Sequence, residues 1–302
     1  METSKAKTKK GLSLNTRNTL IGLSFILPNF IGFFIFILIP VAFSFVLSFA
    51  KWDGFNKMEF AGLKNFTKLF KDSTFSIVLG NTAVFTIFSV LITLVISLGL
   101  AMLLNKKLRG VNFFRSAIFF PYVASIVAIA AVWNNLFSRM GPINNVLAMF
   151  GITDMPGWTA STKWALPAVI IVNIWKNMGY FMILYLAALQ DIPTSLYEAS
   201  MIDGASGWQR FKRITFPMLT PTHFFVFMML TINSFKIFDL IFTMTEGGPG
   251  DSTRMIANYI YDKFYIAMDY GATSAASMVL LVIVGTITVL QFRAEKKFND
   301  FL

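Results

Sequence analysis

Six long apolar segments alternate with shorter polar ones along the 302-residue chain. The apolar segments run approximately over residues 19–50, 76–104, 113–137, 164–190, 219–245 and 272–292. A run of roughly 20 mostly apolar residues, folded as a helix, crosses the hydrocarbon core of a bilayer. The pattern therefore predicts an all-α integral membrane protein. Six transmembrane helices are expected within 19–292, between an N-terminal tail, 1–18, and a C-terminal tail, 293–302.

The first apolar segment follows a basic stretch that resembles the start of a signal peptide. The basic residues are Lys5, Lys7, Lys9, Lys10 and Arg17. The apolar run is nevertheless much longer than the roughly 7–15 residues of a signal-peptide core. We therefore expect an uncleaved first helix. Pro28 and Pro40 lie inside it, where neighbouring helices can satisfy the backbone groups that a proline leaves free.

Composition agrees with a membrane environment and excludes several kinds of chemistry. Hydrophobic residues make up 56% of the chain and charged residues 14%, whereas soluble domains carry about 25% charged residues. Because there is no cysteine, disulfides, thiol catalysis and cysteine-ligated metals are excluded. The single histidine, His223, leaves little for a histidine-based metal site. We expect a protein that is not an enzyme, with no catalytic residue, metal site or cofactor of its own.

The distribution of basic residues predicts the orientation in the membrane. A net charge of +11 would suggest a nucleic-acid partner for a soluble protein, but basic cytoplasmic loops explain it in a membrane protein. With a cytoplasmic N-terminus, the inner segments carry Lys5, Lys7, Lys9, Lys10, Arg17, Lys106, Lys107, Arg109, Arg115, Arg210, Lys212, Arg213, Arg293, Lys296 and Lys297. The outer loops, longer in total, carry Lys51, Lys57, Lys64, Lys68, Lys71, Arg139, Lys163, Arg254 and Lys263. We predict that both termini are cytoplasmic and that no nucleic acid is bound.

Residues 191–221 form a polar loop between the fourth and fifth apolar segments, on the predicted cytoplasmic side. Ser195 can cap a first helix, and Glu198 lies three residues later, which is the spacing of a capping box. We predict a short helix, a sharp turn at Asp203 and Gly204, and a second helix on the membrane surface. The residues alone leave two roles open: contact with another protein, or an interfacial helix that rests on lipid headgroups.

Two motifs give the chain a family resemblance. The stretch EASMIDGASGWQRFKRITFPMLTP, residues 198–221, resembles the EAA motif of ABC-importer permeases, with Ser200 in place of the second alanine. The matching residues are Glu198, Ala199, Ser200, Asp203, Gly204, Ala205, Phe211, Ile214, Pro217 and Pro221. A second stretch, TEGGPGDST at 245–253, resembles the GGP-containing outer loop of carbohydrate-importer permeases. The chain is similar to the UgpA/MalF-like branch of these binding-protein-dependent permeases, which implies a type I ABC importer permease fold.

The resemblance also implies partners and a role for the cytoplasmic loop. The loop would be a coupling helix that contacts an ATPase through Glu198, Ala199, Ser200, Asp203, Gly204 and Ala205. The implied partners are a second, related permease subunit, two cytoplasmic ATPase subunits and an extracellular or periplasmic solute-binding protein, in a bacterial cytoplasmic membrane. ATP would be bound by the partner ATPase, and the chain itself has no glycine-rich phosphate-binding motif.

Polar residues inside two apolar segments predict a substrate site near the middle of the bilayer. The candidates are Asn173, Lys176, Asn177 and Tyr180 in the fourth segment, and Asn233 and Ser234 in the fifth. The first four have the spacing i, i+3, i+4 and i+7, which places them on one helical face. Transporters commonly bind their substrates at this depth, and amides offer the donors and acceptors that sugar hydroxyls need. With the family resemblance, this implies import of an oligosaccharide or related carbohydrate.

Several alternatives stay open. Amides and hydroxyls in membrane helices often bond only to a neighbouring helix. Lys236 and Asp239, three residues apart, either neutralise each other within one helix or contact substrate. Lys176 either binds an anionic group such as a phosphate or uronate, or pairs with the companion subunit. A secondary transporter that uses Lys176 and Asp239 for ion coupling is the alternative from another class. Import of glycerol-phosphate or polyols is the alternative within the family.

Overall fold

A computed structural model of the chain describes residues 14–106 and 109–299, most of which are helical. The helices are α1 (Leu14–Phe33), α2 (Ile39–Ser48), α3 (Lys64–Lys71), α4 (Ser73–Leu104), α5 (Val111–Val123), α6 (Ile126–Leu136), α7 (Pro142–Met149), α8 (Ala165–Gln190), α9 (Thr194–Ile202), α10 (Gly207–Arg210), α11 (Phe216–Met218), α12 (Thr220–Phe235), α13 (Asp239–Met244), α14 (Ile256–Tyr265) and α15 (Tyr270–Asn299). Lys5, Lys7, Lys9, Lys10 and Lys107 lie outside the described residues, as do the far ends of both predicted tails.

Short irregular elements connect these helices. Segments of π-helix, Phe34–Leu38 and Phe211–Thr215, join α1 to α2 and α10 to α11. An antiparallel hairpin of two-residue strands, β1 (Ala50–Lys51) and β2 (Glu59–Phe60), follows α2. A single 3-10 turn precedes α8.

Four helical stretches are long and apolar enough to cross a membrane by themselves. They are Ile21–Ser48, Ser73–Leu104, Ala165–Gln190 and Tyr270–Lys296. Two bent helix pairs pass the same test, so the described residues provide up to six crossings if each pair counts as one. The predicted first, second, fourth and sixth segments match the four straight stretches to within a few residues.

The third predicted segment is not the continuous helix that its apolar pattern indicated. α5 and α6 meet at an angle of 102°, and Ala124 and Ser125 between them have extended backbone angles. Pro121 lies in the last turn of α5 and has no N–H to donate within the helix. The hydrophobic pattern is the same on both sides of the break, which is why it did not reveal the bend.

The fifth predicted segment, 219–245, is also broken. α12 ends at Phe235, and a helix resumes only with α13 at Asp239. Lys236 and Phe238, on either side of the gap, have non-helical backbone angles. Non-helical backbone at membrane depth is tolerated where protein surrounds it or where it lines a cavity, and the break does border a cavity. The chain also bends by 66° where α12 begins, after Met218.

The core of the fold lies where α4, α8 and α12 pack together. Val90 and Ala101 of α4, Met182 and Tyr185 of α8, and Val226 of α12 are buried in one cluster there. Because lipid tails are as apolar as these side chains, close packing and hydrogen bonds, rather than hydrophobic burial, hold membrane helices together.

α5 packs against another face of α8 at Gly179. A Cβ atom at this glycine would overlap the carbonyl oxygen of Ile118 in α5. The two backbones therefore approach as closely as they do only because residue 179 has no side chain. This contact holds the broken third segment beside α8.

On the predicted outer side, the loop after α13 is tied to the beginning of α4. The Asn81 side-chain amide donates to the carbonyl oxygens of Asp251 and Arg254, at 2.7 and 3.1 Å. Arg254 forms an ion pair with Asp251 at 2.6 Å. The loop turns sharply at two of its glycines, with φ of +85° at Gly247 and +55° at Gly250. The loop is therefore an ordered element with fixed contacts.

Candidate substrate cavity and coupling loop

A cavity of about 400 Å³ lies at the break between α12 and α13. α5, α8, α12 and α13 all contribute to its wall. Its polar side chains are Tyr122, Asn173, Lys176, Asn177, Asn233, Ser234, Lys236 and Asp239. Apolar and aromatic groups, among them Phe181 and Phe238, complete it. The wall thus combines hydrogen-bonding groups with apolar surface, as small-molecule sites usually do.

Five of the six residues predicted for the substrate site line this cavity: Asn173, Lys176, Asn177, Asn233 and Ser234. The sixth, Tyr180, lies one turn further along α8. Its ring stacks on that of Tyr122, with the centroids 4.4 Å apart and the planes at 12°. Tyr180 is therefore placed to hold the wall in position behind Tyr122.

Tyr122 itself was not among the residues predicted from the sequence. It belongs to α5, whose apolar pattern indicated an uninterrupted helix. The signal that was available is the stretch PYVAS, residues 121–125, because a proline followed by a polar aromatic and a serine is unusual inside a membrane helix. The bend after Val123 brings this part of α5 to the cavity.

The two asparagines of α8 are joined to each other. The Asn177 amide nitrogen donates to the backbone carbonyl and to the side-chain oxygen of Asn173, at 2.8 and 3.0 Å. Asn173 is only 8% exposed. These bonds fix the orientation of both side-chain amides, because the Asn177 nitrogen is occupied by Asn173. The Asn177 oxygen and the Asn173 nitrogen are not part of these two bonds.

Lys176 of α8 and Asp239 of α13 line the same cavity. The Lys176 ammonium lies 5.2 Å from the centroid of the Tyr122 ring. The alternative of a Lys236–Asp239 pair within one helix assumed a continuous helix, and the break after Phe235 removes that geometry. Among the described residues, Lys236 and Asp239 form no ion pair with each other.

A larger groove, of about 900 Å³, runs between α4, α12 and α15, but its surface is almost entirely apolar. His223 lies in its wall, where Nδ1 is 2.9 Å from the Tyr185 hydroxyl and the ring tilts against that of Phe216. A sugar buried here would lose hydrogen bonds to water without replacing them. The polar cavity at the α12–α13 break therefore suits a solute that forms hydrogen bonds better than this groove does.

The loop over residues 191–221, predicted to be cytoplasmic, contains the expected helix, turn and second helix. α9 ends at Ile202, and Gly204 has φ of +74°, which a glycine adopts without strain. The predicted capping box was wrong, because α9 begins after Pro193 without a side-chain cap and Ser195 lies inside the helix. A capping box exists instead at the start of α10, where Ser206 and Gln209 bond reciprocally.

The α9 helix projects from the protein with no buried residue. Glu198, Ala199, Asp203 and Gly204 are exposed, and Ser200 and Ala205 are partly exposed. Three apolar side chains that the motif does not include are also exposed: Met201 (54%), Ile202 (87%) and Trp208 (70%). Clustered apolar groups on a polar loop are typical of a surface that another protein covers.

A hydrogen bond ties the projecting helix to the chain that leads into α12. The Tyr197 hydroxyl is 3.0 Å from the Thr215 hydroxyl. α8 precedes α9 with only three residues between them, and α12 follows the loop. Both α8 and α12 line the cavity, so the loop joins the two helices that carry Asn173 and Asn233.

At the outer end, a small polar network joins α14 to the start of α4. The Tyr259 hydroxyl donates to Asp72 at 2.8 Å, and Lys263 lies 3.3 Å from the same carboxylate. Partial burial raises the pKa of Asp72, but the hydrogen bonds from Tyr259, Lys263 and the Thr74 backbone outweigh it and hold this pKa below its ordinary value. Burial, with the bond to Asp72, raises the pKa of Tyr259.

Among the described residues, no group of three or more His, Cys, Asp or Glu side chains is arranged to hold a metal ion. The acidic residues nearest one another, at the outer end, are paired with Arg254 and Lys263 instead. The chemistry of the cavity is that of hydrogen bonding and charge attraction.

Comparison with known proteins gives relatives along nearly the whole chain. The probable starch degradation products permease AmyD of Thermoanaerobacterium thermosulfurigenes is 34% identical over 274 residues, covering 90% of this chain and 93% of that protein. The lactose transport system permease LacF of Rhizobium radiobacter is 37% identical over 302 residues, with 98% of each chain covered.

The fold has a solved counterpart. A chain in the crystal structure of a bacterial ABC transporter that imports the acidic polysaccharide alginate superposes with a TM-score of 0.82. The two chains are 25% identical, and the match covers 94% of this chain and 97% of the other. The type I importer permease fold expected from the motifs is confirmed.

The family itself is shown by a match over residues 93–298, which include α8, the cytoplasmic loop, the cavity and α15. The model that matches describes the inner membrane component of binding-protein-dependent transport systems. Together with relatives above 30% identity that cover almost the full length, this match establishes that the chain belongs to the binding-protein-dependent transport system inner membrane component family, the membrane-embedded permeases of ABC transporters.

Proposed function

We propose that this permease subunit forms half of the translocation path of an ATP-driven importer for an oligosaccharide or related carbohydrate. The observation that carries this proposal is the polar cavity of about 400 Å³ at a helix break at membrane depth. Amides, a hydroxyl and aromatic rings meet there, and these are the groups that recognise sugar hydroxyls and sugar faces. The names of the relatives, which refer to starch products, lactose and alginate, support the same substrate class.

Within the cavity, we assign hydrogen bonding to Asn173, Asn177, Asn233 and Ser234. The free groups of the joined asparagines would bond to hydroxyls of a bound sugar, while the stacked Tyr122 offers an aromatic edge beside them. Buried polar groups need such partners, because an unmet donor or acceptor away from water is unfavourable. A sugar that meets them is favoured over an apolar solute of the same size.

For the cytoplasmic loop, we propose the role of coupling helix. Glu198, Asp203 and the small residues Ala199, Ser200 and Ala205 would contact an ATPase subunit, and Ile202 would be the apolar centre of that contact. Because the loop joins α8 to α12, a displacement of α9 moves two walls of the cavity. ATP-driven movement of the ATPase subunits would thereby switch the cavity between inward and outward access.

The proposal includes an assembly and an orientation. The cavity is only partly enclosed by this chain, and a second, related permease subunit would complete it. One ATPase subunit would dock at α9 of each of the two permeases, and these ATPase subunits would hydrolyse the ATP. A solute-binding protein would deliver substrate at the outer end. Both termini would face the cytoplasm, as the basic residues indicate.

The experiment that tests this proposal measures sugar uptake and ATP hydrolysis together, in proteoliposomes containing the complete importer. The substrates would be labelled lactose, maltose and a galacturonate disaccharide. Glu198→Lys should leave the complex assembled but abolish uptake, since it reverses a charge on the exposed face of α9. Asp154→Lys, an exposed change in the predicted outer loop after α7, is the matched control and should transport normally. Normal uptake by the Glu198 variant would contradict the coupling role.

The family assignment favours this importer over the stand-alone secondary transporter. The two also differ in what drives them, since a secondary transporter would accumulate solute in vesicles from an ion gradient without ATP. Import of glycerol-phosphate or polyols remains the alternative substrate class, and the same uptake measurement with these labelled compounds decides it.

A further inference from the structure

The polar cavity contains more positive than negative charge. Lys176 and Lys236 line it, and Asp239 is the only carboxylate among the described residues of its wall. If Asp239 balances one lysine, one positive charge is left over. A neutral sugar offers nothing to compensate that charge.

Lys176 is the more enclosed of the two lysines. It lies in the middle of α8 and is partly buried, whereas Lys236 is exposed at the end of α12. Among the described residues, Lys176 forms no ion pair, and the ring of Tyr122 at 5.2 Å is the contact that its ammonium has. A charged side chain at membrane depth is unfavourable and usually marks a substrate or ion path.

The neighbours of Lys176 suit an anionic sugar better than an isolated anion. Asn173, one turn before Lys176, and Asn177, the next residue after it, line the same cavity. An ammonium binds a carboxylate or phosphate as a compact point charge, while amides beside it bond to the hydroxyls of the attached ring. The two kinds of contact lie within the length of one or two sugar units.

We propose that the cavity takes a carbohydrate bearing an acidic group, with Lys176 as the residue that selects for it. The proposal rests on the proposed carbohydrate function and names the substrate class of the same site. The feature that Lys176 would recognise is an anionic group attached to a sugar. That group is a carboxylate in a uronate and a phosphate in a sugar phosphate.

The test uses the complete importer in proteoliposomes with four labelled sugars. They are a galacturonate disaccharide, the neutral galactose disaccharide of the same linkage, glucose 1-phosphate and glucose. We expect uptake of one acidic sugar to be at least tenfold more efficient than that of its neutral counterpart. A preference within the disaccharide pair would identify the acidic sugar as a uronate. A preference for glucose 1-phosphate over glucose would identify it as a sugar phosphate.

Three variants connect the preference to Lys176. Lys176→Met should raise the KM for the acidic sugar at least tenfold, and Lys176→Arg should restore most of the affinity because it keeps the charge. Lys163→Met is the matched control, because Lys163 also lies over an aromatic ring, that of Trp164 at 5.9 Å, but is exposed outside the cavity. Its KM should be unchanged. Co-purification with the ATPase checks that each variant still assembles.

The outcomes separate this inference from the function on which it rests. Efficient uptake of the neutral sugars, or an unchanged KM in Lys176→Met, would overturn the acidic-sugar inference and leave the carbohydrate importer standing. ATP-dependent uptake of a non-carbohydrate solute with no uptake of any sugar would overturn both.

Discussion

The packed contact between α4 and α8 and the cavity at the α12–α13 break use polar side chains in opposite ways. In the packed contact, the Ser97 hydroxyl of α4 donates to the carbonyl oxygen of Met178 in α8 at 3.0 Å. In the cavity, longer amides and charges such as Asn177 and Lys176 face open space. The hydroxyl of the packed contact is thus bonded to the backbone of the facing helix, whereas the amides and charges of the cavity wall border open space.

The largest effect is expected from filling the packed side of α8. Gly179→Ala places a methyl group against the backbone of Ile118, which cannot swing aside as a side chain would. Overpacking of this kind destabilises by about 1–3 kcal/mol. We expect a lower thermal unfolding temperature of the purified complex. Gly99→Ala is the control, since no atom of the described residues lies within 4 Å of its added Cβ, and it should be neutral or slightly stabilising.

The Asn173→Ala substitution tests the role of the cavity. This change removes an amide of the proposed sugar site and also the side-chain acceptor that orients Asn177. With hydrogen bonds of about 0.5–1.5 kcal/mol each, the KM for the transported sugar should rise roughly two- to tenfold while assembly is unaffected. Asn145→Ala, an exposed amide of α7, should leave the KM unchanged. An unchanged KM in both variants would place the sugar site elsewhere.

A smaller effect is expected from a substitution in the packed contact between α4 and α8. Ser97→Ala removes a buried hydrogen bond between α4 and α8 but no group of the cavity. Interhelical bonds of this kind contribute about 0.6 kcal/mol on average. We expect a slight fall in thermal stability with an unchanged KM, the reverse of the Asn173→Ala pattern. A raised KM in Ser97→Ala would show that the packed contact and the cavity are not independent.

The outer polar network, which belongs to neither region, adds a dependence on pH. Because the folded pKa of Asp72 lies below its unfolded value of about 3.9, the ionised carboxylate stabilises the fold above that value. The stabilisation is lost as the pH falls through the folded pKa. Tyr259 stays protonated over this range, since its pKa is raised. The charge-removing variant Asp72→Asn should therefore be less stable than the unmodified chain at pH 7.

The measurement is a set of thermal unfolding curves in detergent between pH 7 and pH 3. The stability difference between the two proteins should narrow as the pH falls below about 4. Asp262, whose pKa burial raises despite the nearby Arg254, acts in the opposite direction. It is present in both proteins, so its contribution cancels in the difference. A difference that does not depend on pH would contradict the role given to the Asp72 charge.

Much of the architecture was predictable because it depends on local pattern. Four membrane helices agree with the apolar segments, since only a helix satisfies its own backbone across a bilayer. The turn at Gly204 was predictable because few other residues adopt its positive φ. Five of the six residues predicted for the substrate site line the cavity, and the sequence drew attention to them because charged and amide groups inside an apolar segment are conspicuous.

Other features were not predictable for physical reasons. Tyr122 reaches the cavity only because α5 bends after Val123, and an apolar pattern with the helical period continues across that bend. The predicted cap of α9 was wrong because the helix begins directly after Pro193, so that Ser195 lies inside it. The exposed Ile202 reads as ordinary apolar sequence until its surroundings are known.

The sequence by itself determined that the chain spans a membrane, which family it resembles, and which polar groups lie near the middle of the apolar segments. These follow from hydropathy, motif spacing and position along the chain. Only the tertiary structure decided where the third and fifth helices break and which polar groups meet. Non-helical backbone at membrane depth is tolerated only where protein surrounds it or where it lines a cavity. At the α12–α13 break, the rest of the cavity wall comes from α5 and α8, which are far away in the sequence.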